Sequence, residues 1–72
     1  MTDQHYAEFK PLIDRVQDQY ADRSSAIWHS AKMAKRFELT RDDAMEALSR
    51  HFGSDALIER ALRDHYPTGA IR

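Results

Sequence analysis

The sequence predicts an all-α fold, a small domain of four helices, on three observations. Apolar residues recur at intervals of three and four rather than two, the period of a helix with one buried face. Helix breakers are scarce, with 2 glycines and 2 prolines in 72 residues. Polar residues able to cap a helix stand ahead of the periodic stretches.

The first helix is signalled by Tyr6, Phe9, Ile13, Val16 and Tyr20, with Leu12 widening the stripe, and covers about residues 3–21. Thr2 is placed to cap it. Pro11 lies inside this span, lacks an N–H and meets the carbonyl of Ala7, so a kink or a helix start is expected there, and the favoured reading is one helix over 3–21 kinked at Pro11.

Asp22, Arg23, Ser24 and Ser25 form a polar break, in which either serine can cap a second helix over about residues 26–37. Its inner face is read as Ile27, Ala31 and Ala34, flanked by Ser30 and Phe37, and the small side chains invite close approach by another helix. His29, Lys32 and Arg36 occupy the opposite face with Lys35 beside them, and Trp28 and Met33 fall on the flanks.

The third helix, about residues 41–52, has the clearest punctuation, and the rest of the chain reads as packing around it. Thr40 and Asp43 have the spacing of a capping box, and Gly53 is placed to end the helix with a positive φ. Ala44, Leu48 and Phe52 mark its core side, whereas Asp42, Glu46, Ser49 and Arg50 face water. Ser54 is read as the cap of a fourth helix over about residues 55–65, with Leu57, Ile58, Ala61, Leu62 and His65 turned inward. Pro67 and Gly69 end it, and residues 67–72 are expected to form a flexible tail.

Residues 1–72 therefore make a single domain. A chain of this size buries only about 60% of the surface its unfolded form exposes, so its core is small. Cysteine is absent, which removes disulfides and thiolate metal sites as supplements and leaves helix packing or self-association to stabilise the fold. No stretch has the apolar length of a membrane span, and the start is not that of a secretory signal, so the sequence points to a cytoplasmic protein that does not enter a membrane.

Charge is unevenly distributed although its total is only −1. Residues 1–22 carry a net −3, and residues 23–41 carry a net +4 from Arg23, Lys32, Lys35, Arg36 and Arg41 against Glu38. Such a layout either draws neighbouring helices together or presents a basic face to an acidic partner.

The chemistry of catalysis is not signalled. There is no cysteine nucleophile and no glycine-rich phosphate loop, and the serines fall at caps or on exposed faces. The histidines, at 5, 29, 51 and 65, lack metal-ligand spacing. His51 and His65 could meet only if the last two helices run antiparallel. The sequence thus predicts no enzyme activity, no cofactor and no metal.

Ala34, Glu38-Leu39-Thr40, Ala44 and Ala47 resemble the spacing of a helix-turn-helix DNA-binding unit, which implies Thr40 to Arg50 as a recognition helix. Glu38 stands where that turn usually has glycine, and Asp42, Asp43 and Glu46 would bring negative charge towards phosphates. The stretch from Met33 to Asp64, with Phe37, Thr40 to Ala44, Ala47-Leu48, Ile58 and Ala61-Leu62, is similar to the three-helix pattern of ubiquitin-associated-type modules. That resemblance implies a docking role.

These readings converge on a non-enzymatic protein-binding module, an adaptor, regulator or inhibitor that acts through a helix surface. Trp28, His29, Lys32, Lys35 and Arg36 are its candidate partner-binding residues, since tryptophan and arginine are enriched at binding hot spots. Alternatively, Trp28 closes the core against Tyr20 or Phe52. The partner is expected to be another protein or a second copy in a homo-oligomer. A helix-turn-helix-like DNA-binding regulator is the other reading.

Overall fold

A computed structural model describes residues 1–67 and contains four helices: α1 (Asp3–Gln19), α2 (Arg23–Arg36), α3 (Arg41–Phe52) and α4 (Ala56–His65). No strand occurs among the described residues. The tail expected beyond Pro67 lies outside them.

Each helix begins at a side-chain oxygen that accepts a backbone N–H otherwise left unpaired in the first turn. Thr2 accepts from His5, and Thr40 Oγ1 accepts from Asp43 N at 3.1 Å, as the sequence predicts, but the reciprocal half of the capping box does not form, because the Asp43 carboxylate pairs with the Met1 amine at 3.3 Å. The other two caps differ from expectation. Asp22, rather than Ser24 or Ser25, accepts from Ser25 and starts α2 three residues early. Asp55, rather than Ser54, caps α4 by accepting from Leu57 at 2.9 Å. In both cases a charged acceptor next to the polar joint takes the position, and a carboxylate gains more than a hydroxyl from a helix N-terminus. Pro11 sits within an unbroken α1, so the helix does not start there.

The turn between α2 and α3 closes with two reverse bonds. Leu39 N donates to the Ala34 carbonyl at 3.0 Å and Glu38 N to the Lys35 carbonyl at 3.1 Å, the Schellman pattern that satisfies carbonyls at a helix end. This pattern needs a left-handed residue, and Glu38 supplies it with φ 65°. α3 ends differently: Gly53 combines φ 84° with an extended ψ of 168°, which a residue with a Cβ rarely adopts, and its N–H donates to the Ser49 carbonyl at 2.9 Å.

The core is built from Phe9 and Ile13 of α1, Ile27, Ala31 and Ala34 of α2, Leu39 of the turn, Ala44, Ala47 and Leu48 of α3, and Ile58, Ala61 and Leu62 of α4, with Tyr66 at its edge. The small residues of α2 have the consequence that their spacing predicts. Both α2 and α3 pack on all three other helices, but the contacts of α2 are the more extensive, above all with α4, whereas α1 and α4 do not meet. The centre of the fold is therefore α2 rather than α3. Phe37, expected beside the inner face of α2, is instead 37% exposed and rests one side on Phe9, with ring centroids 5.5 Å apart. The helix has ended by that point, and the turn carries Leu39 into the core instead.

Two polar ties fix the ends of α4. Arg23, at the start of α2, donates to Asp55 Oδ2 at 2.8 Å and to the Phe52 carbonyl at 2.7 Å. The Leu57 N–H and then the Arg23 guanidinium hold the Asp55 carboxyl below its usual range. At the far end, the buried Tyr66 hydroxyl donates to the Leu39 carbonyl at 2.9 Å.

Candidate functional site

The exposed face of α2 follows from the burial of the opposite one. Ala26, Ile27, Ser30, Ala31 and Ala34 point into the core, so the 100° step of the helix turns Lys32 and Arg36 outward and puts Trp28 and Lys35 on the flank facing α4. Lys32, Lys35 and Arg36 are all exposed. Trp28 is 37% exposed, one of two large apolar side chains so placed among the described residues, the other being Phe37.

The structure brings four of the five candidates, Trp28, Lys32, Lys35 and Arg36, onto this connected strip. His29 is half-buried and turned to the side, its ring stacked on Tyr20 with centroids 4.0 Å apart. It borders the strip rather than crowning it.

Trp28 does not close the core against Tyr20 or Phe52. Its ring packs on His65, centroids 4.3 Å apart, and meets the edge of His29 at 5.0 Å. Its indole Nε1 donates to Asp64 Oδ2 at 3.1 Å. An indole held on one side by a carboxylate and a ring, and open on the other, is an ordered amphipathic surface. Asp64 and His65 were not legible as parts of this site, because their role depends on α4 crossing α2 at that height. The inward position of His65 on α4 was the one available signal.

The charges of residues 23–41 are only partly absorbed within the fold. Arg23 is tied to Asp55, and Lys35 places its ammonium 4.9 Å from the centroid of the Tyr66 ring. Among the described residues no carboxylate pairs with Lys32, Lys35 or Arg36, while Lys10 and Arg50 pair with Asp14 and Asp3.

Other clusters lead elsewhere. His51 Nε2 lies 2.7 Å from Gln17 Oε1 on α1, so His51 and His65 serve different neighbours. Burial holds both histidines below the ordinary imidazole range. No group of three or more metal-ligating side chains converges among the described residues. An open depression of about 420 Å³ lies between α3 and α4, bordered by Met45, Ser49, Ser54, Asp55, Ala56 and Glu59. Met33 and Met45 are half-buried against the core. No helix among the described residues is long and apolar enough to cross a membrane. No protein-family model, curated protein or solved structure matches the chain.

Proposed function

We propose that this chain is a small non-enzymatic binding module that takes an acidic protein surface against the exposed face of α2. Trp28 is the apolar anchor, and Lys32, Lys35 and Arg36 supply the charge. By covering or bridging its target in this way it acts as an adaptor, regulator or inhibitor. The observation that carries the reading is that these three basic side chains have no carboxylate partner among the described residues, although the chain is acidic overall. Unpaired surface cations steer an acidic partner, and a half-exposed tryptophan already held in place loses little side-chain freedom on binding.

The test is affinity capture by cross-linking, identification of the captured protein, and titration of the purified pair. The double substitution Lys32→Glu with Arg36→Glu should weaken that binding by about tenfold or more, roughly 1.4 kcal/mol. The thermal melt should barely change, because both side chains are exposed. Unchanged affinity in the double variant would overturn the assignment.

A second reading draws on the turn. Ala34, Leu39, Ala44 and Ala47 are buried and Glu38 takes the left-handed conformation for which helix-turn-helix units usually carry glycine. Against it, Asp42 and Glu46 remain on the outer side of α3. Glu46 lies 3.5 Å from the Met1 amine and 3.8 Å from the Arg50 guanidinium, and a paired carboxylate remains negatively charged. This reading predicts that random duplex DNA is bound at low salt and released as salt rises. Absence of binding at low salt removes it.

A further inference from the structure

Four rings lie in a row beside the basic strip: Tyr20 on His29, His29 on Trp28, and Trp28 on His65. The last of them differs from the others. His65 Nε2 is buried and has no hydrogen-bond partner. A neutral ring tolerates that position at modest cost, whereas a protonated ring would bury an N–H and a positive charge with no acceptor to receive them. The same ring forms one wall of the Trp28 site, and its neighbour Asp64 holds the indole N–H.

The charged and titratable groups facing His65 come from two helices. On α4, Asp64 favours the cation, while on α2, Lys32 and His29 oppose it and the Trp28 carbonyl favours it. Burial is the largest influence and opposes protonation.

We propose that His65 is a proton-operated latch on Trp28. In its neutral form the ring stays packed and keeps the indole seated against α4. When it takes up a proton it leaves the buried position for water, and Trp28 loses that wall and turns further into solvent. The proposal rests on Trp28 being the anchor of the binding face, and it makes that face sensitive to mild acidity.

The chain contains 1 tryptophan, so its emission reports this site alone. The experiment records the emission maximum and far-ultraviolet circular dichroism of the isolated chain from about pH 8 to about pH 4.5, the range that brackets histidine titration. The expected result is a red shift of several nanometres, with its midpoint below the ordinary histidine value of about 6.5 and with helicity retained. The shift should vanish in His65→Gln and in His65→Phe and persist in His29→Gln. Two His65 variants are used so that a folding defect in one does not decide the outcome. Three results would overturn the latch: an unmoved maximum in the folded chain, a shift that survives both His65 substitutions, or a shift that appears only as helicity is lost. No partner is present in this measurement, so its failure would leave the proposed binding reading standing. That reading fails separately, if the charge-reversed α2 variant keeps its affinity.

Discussion

Ser30 is fully buried in α2, and its hydroxyl has no hydrogen-bond partner. A buried hydroxyl that has left water without finding an acceptor opposes folding, and alanine is also the better helix former. Ser30→Ala should therefore raise stability by about 1 kcal/mol, seen as a higher urea midpoint at an unchanged slope. A lower midpoint would mean that the oxygen fills space the alanine leaves empty. Periodicity had placed Ser30 at the edge of the inner face. Its complete burial came from neighbouring helices closing over it, which one helix's pattern does not describe.

Between elements, the turn joining α2 to α3 depends on one residue in an unfavourable conformation. Glu38 adopts φ 65° with no side-chain hydrogen bond or ion pair among the described residues to compensate. The left-handed region costs a residue with a Cβ about 1–2 kcal/mol, partly offset in a glycine variant by the greater freedom of its unfolded chain. Glu38→Gly should thus stabilise the domain by about 0.5–1 kcal/mol, measurable by chemical denaturation. A destabilised variant would show that the glutamate makes a compensating contact in solution.

Helix number, helix type and the inner faces of the four helices, Phe37 apart, were legible in the sequence, because each depends on spacing within a single segment. The caps of α2 and α4 were less so. Asp22 competed with Ser24 and Ser25, and Asp55 with Ser54, and in both joints the carboxylate, the stronger acceptor at a helix N-terminus, took the cap. Of the candidate site, the basic strip was legible because it is the complement of the apolar stripe on the same helix. The seating of Trp28 on His65 and Asp64 was not, since it joins residues 36 and 37 positions apart.

For the whole molecule, acidity should act through histidines before carboxylates. Burial lowers the His51 and His65 pKa values from the ordinary 6.5. Below about pH 6.5 the unfolded chain therefore binds protons more readily than the folded one, and stability falls as pH drops towards the lowered folded values. Asp55 acts in the same sense but at lower pH, since its folded pKa lies below 3.8 and its contribution is lost only in stronger acid. The melting midpoint should accordingly decline between about pH 7 and about pH 5, and His51→Gln combined with His65→Gln should flatten that decline. A midpoint that rises on acidification over this window would contradict the burial of both rings.

By itself the sequence determined four amphipathic helices, the polar joints between them and a concentration of positive charge on the outside of the second. Helical period, capping and charge are properties of residues a few positions apart, and the chain carries them into any packing. Only the tertiary structure decided that α2 rather than α3 is the centre of the fold, that Asp55 takes Arg23 out of the basic segment, and that Trp28 rests on a buried histidine of α4. Those outcomes depend on which helices cross and at what height, which follows from fitting all the apolar faces together at once.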